Sequence, residues 1–325
     1  MPTTKLEPKV AAIIKEEKMP FELIIIGGGP AGLTAGIYAK RAGIDAILIE
    51  KALPGGLITT TELVENYPGF PEGVSGMDLG QKLEDQAKKY GLDIIFGKAV
   101  TLEVKKGLKV VFTEEYSYST KAVIIATGSE PKKLGVPGEE DFIGKGVSYC
   151  ATCDGPFYKD KNVAVVGGGN GALEEALFLT KFAKLVTIIH RRKDLRADKV
   201  LQDKAAANPK IFMKLDTLVD EIKGDDKVRS LKLTDVSSNK RSSINVDGVF
   251  IYAGLKPNTD FIKEMVKLDD NGHIITDDKL ATNIPGVFAA GDVRKKVLRQ
   301  VVTSVADGAV ALNSVKEYLE NRPHP

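Results

Sequence analysis

The chain carries the same short pattern twice: an apolar run, a glycine-rich loop, a helix, and a second apolar run that stops on charged residues. In the first copy Phe21–Ile26 leads straight into Gly27-Gly28-Gly29-Pro30-Ala31-Gly32. In the second, Asn162–Val166 leads into Gly167-Gly168-Gly169-Asn170-Gly171-Ala172. Runs this short and this rich in Val and Ile are those of strands buried on both faces. The glycines let the backbone turn at once into a helix whose N-terminal amides can meet a pyrophosphate. A lone Gly-x-Gly-x-x-Gly is weak evidence. Strand, loop, helix, strand and terminal charge in order, and then again, predict an α/β fold with two Rossmann-like dinucleotide-binding domains.

The copies end differently, and the difference is chemical. In the first, a helix over 33–42 and a strand over 46–49 close on Glu50, followed by Lys51. An acid at that point accepts hydrogen bonds from ribose hydroxyls. In the second, a helix over 172–182 and the strand Leu185–Ile189 close on His190-Arg191-Arg192, with Arg196 shortly after. An acid would repel a 2′-phosphate, whereas arginines form bidentate charge-assisted bonds to it, so NADPH is expected here. The competing reading is a solvated basic patch at a strand end.

Just upstream of the second copy lies Cys150-Ala151-Thr152-Cys153-Asp154-Gly155, which holds both cysteines of the chain. A pair at this spacing can close a small disulfide ring and reopen it. On a short helical turn the partial positive charge at the N-terminus favours the attacking thiolate. Asp154 stands where it could give a proton to a leaving thiolate or take it back. Two buried structural thiols, or half of a zinc site, are the alternatives. Zinc needs three or four ligands, and His190, His273 and His324 are scattered far from this stretch.

Lys plus Arg number 46 against 44 Asp plus Glu, a net charge of +2, which gives no bulk-charge case for a nucleic-acid partner. Two cysteines do not make a secreted disulfide scaffold, so a reducing, cytoplasmic setting is expected. No apolar run reaches the roughly 18 residues of a membrane span. Residues 1–20 are charged at Lys5, Glu7, Lys9 and Lys15 to Lys18 and lack the pattern of a signal peptide; they are read as an N-terminal extension.

The rest of the chain fits around the two copies. Gly55-Gly56-Leu57-Ile58 and Val64-Glu65-Asn66-Tyr67-Pro68-Gly69 read as a long ordered binding loop without regular structure. A helix over 77–90 sets Leu79, Leu83 and Ala87 on one face, and strands are expected over 92–96, 109–112 and 122–126. The last of these enters Thr127-Gly128 over the first nucleotide. Strands over 228–233 and 248–252 extend the second copy to Ala253-Gly254, with Pro257 as a hinge. Gly286 to Asp292 then makes another strand that stops on an acid, and Arg299-Gln300 opens a final helix over 303–319. The first domain is therefore expected over 21–131 and 258–325, with a second domain, 132–257, inserted in it.

Taken together these motifs resemble a low-molecular-weight thioredoxin reductase, from Phe21 to the last helix and in family order. The Cys pair ahead of the second nucleotide loop is the discriminating one. The resemblance implies FAD in the first domain, held by Gly27, Gly29, Pro30, Ala31, Glu50, Lys51, Gly56, Leu57, Asn66, Val100, Thr127, Gly128, Gly291, Asp292, Arg299, Gln300 and Val301. It implies NADPH in the second, held by Gly167, Gly168, Gly169, Asn170, His190, Arg191, Arg192, Arg196, Ala253 and Gly254. It also implies a homodimer and a thioredoxin as partner, with Cys153 facing the flavin, Cys150 attacking the partner disulfide and Asp154 moving the proton. The family commonly has Gln where Leu57 stands, and aromatics directly after the Cys-x-x-Cys-Asp-Gly turn, where Pro156 intervenes. Rival readings are a dithiol oxidase, which has no need of the arginines, a ferredoxin reductase, which has no need of the cysteines, and a redox sensor without turnover. The flavin is expected in one domain, and the cysteines and nicotinamide in the other. A rotation of the inserted domain about the strands near Pro131 and near Gly254 to Pro257 is therefore expected.

Overall fold

A computed structural model gives the fold and describes residues 20–61, 63–105 and 107–321. The expected N-terminal extension lies, save for Pro20, outside these residues. The chain forms two compact units, one from the chain up to Glu130 with its return from Pro257, the other from Pro131–Lys256.

In the first unit β1 (Phe21–Ile26) feeds α1 (Pro30–Arg41), which returns the chain to β2 (Ala46–Glu50). After α2 (Gly76–Lys89) come β3 (Asp93–Phe96), β4 (Ala99–Lys105), β5 (Leu108–Thr113) and β6 (Ser117–Ile125). The short β7 (Ser129–Pro131) leaves the unit. The second unit runs β8 (Val147–Ser148), α3 (Ala151–Asp154), β9 (Asn162–Val166), α4 (Asn170–Leu179), β10 (Leu185–Ile189), α5 (Lys199–Ala207) and β11 (Ile211–Lys214). An antiparallel sheet of β12 (Thr217–Gly224), β13 (Val228–Asp235) and β14 (Arg241–Asn245) follows, then β15 (Gly248–Ile251). The chain leaves through β16 (Leu255–Pro257), paired with β7, and ends in β17 (Val287–Ala289) and α6 (Val301–Glu320).

Each unit is built on a sheet with a parallel centre whose middle strand is the one before its glycine loop; in the first unit β5 and β4 extend it antiparallel. β1 lies between β2 and β6, parallel to both, and β9 lies between β10 and β15 in the same way. The loops after β1 and β9 thus open where the strand order reverses, the place where doubly wound sheets bind ligands. Burial explains why these strands are apolar throughout rather than alternating. Leu23 and Ile25 face one core of the sheet, Ile24 and Ile26 the other, and all four are buried. Each such side chain contributes about 1.5–3 kcal/mol.

Three local readings need amendment. The loop expected to be without regular structure contains a 3₁₀ helix, Gly56–Thr60. Thr59 and Thr60 hydroxyls donate back to the carbonyls of Gly56 (2.9 Å) and Leu57 (2.8 Å), which stabilises that tight turn. Strands β4, β8, β11, β12 and β14 and helix α5 have no counterpart among the expected elements. β14, Arg-Ser-Ser-Ile-Asn, is mostly exposed and has no apolar alternation to reveal it; its neighbour β13 supplies the pairing. Helices α1 and α4 begin at Pro30 and Asn170, earlier than the apolar periodicity indicates, because each starts directly on its glycine loop.

The first sheet's helices are closely spaced at one point. A Cβ on Gly308 of α6 would run into the Ala31 carbonyl oxygen and lie 3.1 Å from the Ala35 nitrogen, both on α1. Gly308→Ala would gain about 1 kcal/mol of helix propensity but meet backbone, where overpacking costs about 1–3 kcal/mol. We expect Gly308→Ala to lower the urea midpoint of unfolding. A raised midpoint would show that the two helices part at little cost.

Candidate active site

The cysteine pair is a closed disulfide, Cys150–Cys153, with Cα atoms 5.4 Å apart. It spans α3, one turn long, with Cys150 as the residue that caps it; the Cys153 N–H donates to Cys150 Sγ at 3.1 Å. The small Ala151 can be fully buried beneath the turn, which leaves Cys150 half-buried and Cys153 exposed. Asp154 is half-buried at the end of the turn, its N–H donating to the Cys150 carbonyl at 3.1 Å.

The turn is held by neutral hydrogen bonds. The Cys150 N–H donates to Ser148 Oγ (3.1 Å), and the Ala151 N–H donates to the Tyr252 hydroxyl (2.9 Å). Tyr149 donates its hydroxyl to Glu139 Oε1 (2.7 Å), and Glu139, itself buried, also accepts from the Leu134 and Gly135 amides. Burial pushes the Tyr252 phenol well up, reinforced by the nearby Glu175 carboxylate. The Tyr149 phenol is likewise pushed up by burial and then by its bond to Glu139. Both stay protonated in neutral solution. Tyr252, Tyr149 and Glu139 were not among the expected site residues. Tyr252 directly precedes Ala253-Gly254, but no spacing rule ties a strand-end tyrosine to a cysteine turn distant in sequence.

The same unit carries the second glycine loop. Gly168 passes so close to His190 that a Cβ there would lie 2.5 Å from the ring. Gly169 caps α4 and no side chain does so. Asn170 exchanges two hydrogen bonds with Asp198, and the Arg196 and Ala197 amides donate to the Gly168 carbonyl. The segment bearing Arg191, Arg192 and Arg196 is thereby folded back over the loop. All three arginines are exposed, and none joins a salt bridge among the described residues. His190 is buried, and burial, then Arg196, lowers its pKa, so it is neutral; its Nε2 finds no partner among the described residues. Ala253 and Gly254 are exposed just past β15. An uncapped helix start, bare arginines and an orphaned buried imidazole nitrogen fit a phosphorylated nucleotide.

In the first unit Gly27 takes φ +107°, and a Cβ there would strike the Ala126 carbonyl, so only glycine fits. Gly29 caps α1 without a side chain, Pro30 opens the helix and Ala31 is buried within it. Glu50 is buried with one oxygen accepting from the Gly28 N–H (2.5 Å) and the other from Ala52 N–H (2.8 Å). Gly56 packs against Gly29: a Cβ on it would lie 3.0 Å from the Gly29 Cα. Asn66 donates to Gln300 Oε1 at 3.2 Å, so two residues far apart in sequence meet. Gln300 caps α6 with Thr303, and Val301 is its first residue. Thr127 and Asn258 exchange hydrogen bonds, side chain to carbonyl in both directions (2.8 and 2.9 Å), and the Asn258 N–H donates to Gly128.

The returning strand places Gly291 and Asp292 on a short 3₁₀ turn. Burial raises the Asp292 pKa, with Lys296, Ser304 and Arg299 acting against it. Asp307 accepts from the Gly291 N–H (3.0 Å) and from Lys296 (2.9 Å). Arg299 Nε is buried and finds no partner among the described residues. The glycine cradle and this orphaned guanidinium nitrogen fit an anionic dinucleotide. Lys51 and Leu57 are exposed, and Val100 is half-buried within β4. Asn258 and Asp307 complete the arrangement and were not expected, since neither falls in a motif with fixed spacing.

Residues 21–308 match the pyridine nucleotide-disulphide oxidoreductase family. A thioredoxin reductase of Listeria monocytogenes is 46% identical over 306 residues, covering 94% of this chain and 95% of that one. A thioredoxin reductase of Bacillus subtilis is 45% identical over 308 residues, covering 94% and 97%. The crystal structure of Lactococcus lactis thioredoxin reductase superposes with a TM-score of 0.91 at 41% identity, over 93% of this chain and all of the other. That of the T. acidophilum enzyme gives 0.88 at 37%, over 93% and 99%. The chain belongs to the pyridine nucleotide-disulphide oxidoreductase family, and within it to the low-molecular-weight thioredoxin reductases.

Proposed function

We propose that the chain is an NADPH-dependent flavoprotein disulfide reductase whose Cys150–Cys153 dithiol reduces a thioredoxin-like protein. The closed Cys150–Cys153 disulfide, in the same unit as a phosphate-ready nucleotide loop, carries this reading. FAD is assigned to Gly27, Gly29, Glu50, Asp292 and Arg299 with their neighbours, and NADPH to Gly167–Asn170, His190, Arg191, Arg192 and Arg196. When bound, these cofactors supply a hydride and relay its electron pair to the disulfide.

The chain's own part is thiol chemistry. Two electrons and a proton open the Sγ–Sγ bond to one thiol and one thiolate. Cys150, as the resemblance implies, attacks one sulfur of the partner's disulfide and forms a mixed disulfide. The expelled partner thiolate takes a proton, and the relay of that proton is assigned to Asp154, as the resemblance implies. Cys153 as thiolate then attacks Cys150 Sγ, which restores the Cys150–Cys153 disulfide and releases the second partner sulfur as a thiolate that takes its proton from solvent. We further propose that the enzyme is a cytoplasmic homodimer, and that the inserted unit turns about β7 and β16 during the cycle. Among the described residues no helix is long and apolar enough to cross a membrane.

Four measurements test this reading. NADPH-driven reduction of a disulfide dye should accelerate severalfold when thioredoxin is added; flavin binding without turnover would leave only a sensor. Cys150→Ser and Cys153→Ser should each abolish that activity yet retain FAD. Cys153→Ser alone should accumulate a mixed disulfide with thioredoxin, visible by mass, and accumulation in Cys150→Ser instead would exchange the two roles. Arg191→Ala with Arg192→Ala should lower kcat/KM for NADPH about tenfold or more, given about 1.5–3 kcal/mol for each charge-assisted bond. Use of NADH should stay nearly constant; an equal loss with both nucleotides would show that the arginines do not read the 2′-phosphate.

A further inference from the structure

We propose that Tyr252 is a positioning residue for the cysteine pair: by accepting the Ala151 N–H it holds the turn in the shape that closes the disulfide, and so sets the dithiol–disulfide equilibrium. The inference rests on reading Cys150–Cys153 as redox-active.

Ala151 is fully buried and its N–H is the first amide of α3. A buried backbone donor needs an acceptor, and here the acceptor is the Tyr252 hydroxyl at 2.9 Å. That oxygen cannot drift with the turn. Its residue follows directly on β15, where the Tyr252 N–H donates to the Val166 carbonyl at 2.8 Å. The Tyr252 carbonyl in turn lies against Gly167, where a Cβ would approach it to 2.6 Å. Burial keeps the phenol protonated, so the contact is a hydrogen bond between two neutral groups.

The two redox forms feel the loss of this oxygen unequally. In the disulfide, the covalent ring fixes Cys150 and Cys153 with Cα atoms 5.4 Å apart, and the amide between them cannot turn to another partner. Two electrons and two protons convert the disulfide into two thiols and remove that constraint. The open turn can tilt and give the Ala151 N–H a new acceptor. Without the phenol oxygen the closed form alone carries an unpaired buried donor, so the equilibrium moves toward the dithiol. Tyr149 gives the contrast. It is adjacent to Cys150 in sequence, but its phenol goes to Glu139 and not to the backbone of the turn.

The experiment equilibrates the full-length holoprotein in graded mixtures of dithiothreitol and its cyclic disulfide, which exchange two electrons and two protons with the cysteine pair. Acid quenching, alkylation and intact mass then count free thiols without reference to flavin or turnover. Tyr252→Phe should shift the equilibrium toward the dithiol by about threefold to tenfold, tenfold being about 30 mV. Tyr149→Phe should stay within twofold of wild type. In the unmodified protein, the Ala151 amide should exchange hydrogen more slowly in the disulfide than in the dithiol form. A smaller or opposite shift in Tyr252→Phe, an equal shift in Tyr149→Phe, or equal amide exchange in both forms overturns the proposal. If the wild-type pair never opens across the series, the disulfide-reductase reading falls with it; if wild type cycles and Tyr252→Phe follows it, this inference alone fails.

Discussion

Both halves of this molecule depend on one constraint: a strand buried on both faces must pass into a helix without leaving backbone amides stranded in the core. β1 and β9 are flanked by parallel strands on each side and cores above and below, so the chain can leave them only at the end of the sheet. Glycine makes the exit tight enough for α1 and α4 to pack back on the sheet they came from. The cost is a helix start with no side chain to cap it, and that cost becomes the binding feature, because unpaired N–H groups of a first turn are what an anionic phosphate pairs with. The fold and the nucleotide sites are therefore one solution. The return of the chain to supply β17 and α6 follows from it, since β6 otherwise has an open parallel edge beside Val123 to Ile125.

The cysteine turn obeys a different logic. α3 is too short to gain much from its own hydrogen bonds, so its shape comes from outside it. Ser148 and Tyr252 each fix one amide of the turn, and the Tyr149–Glu139 pair fixes the chain that leads into it. All of these partners are neutral except Glu139, whose carboxylate is met by two backbone amides and a phenol. Supports of this kind carry no net charge at the turn itself, so they do not titrate together with the sulfurs. Asp154 is the only acid within the turn, and the proposed mechanism gives it the proton.

Most of this architecture was legible in the sequence because it rests on short-range rules. The strand–glycine–helix units, the Cys-x-x-Cys turn, Glu50 and the arginine cluster each lie within a few residues of the motif that reveals them. What was not legible lies in pairs distant along the chain. Asn66 with Gln300, Thr127 with Asn258, and Ala151 with Tyr252 are each brought together by sheet topology, and nothing in either partner's neighbourhood marks the other. Strands β12 and β14 were hard to read for a related reason. Their residues are partly exposed and mixed in polarity, and their state is decided by β13, to which both pair. The 3₁₀ turn at Gly56–Thr60 was hidden by its glycines and appears only when the threonine hydroxyls are seen to bond back along the chain.

The proposed ligands of the two nucleotides differ in how far they are built in advance, and the difference has a physical consequence. Around the first loop Glu50 has both oxygens engaged by backbone amides, and Asp292 is half-buried and bonded by Ser304. Groups held like this lose little conformational freedom when a ligand arrives, which favours tight, long-lived binding. Around the second loop the charge is carried by three exposed arginines, whose side chains must be ordered anew each time a phosphate is bound. That ordering cost offsets part of the charge-assisted bonding and lowers affinity without removing selectivity. A cofactor that stays through many turnovers suits the first arrangement, and a reductant that must leave once oxidised suits the second. In the proposed assignment the acid at one strand end and the arginines at the other thus separate the sites by residence as well as by nucleotide.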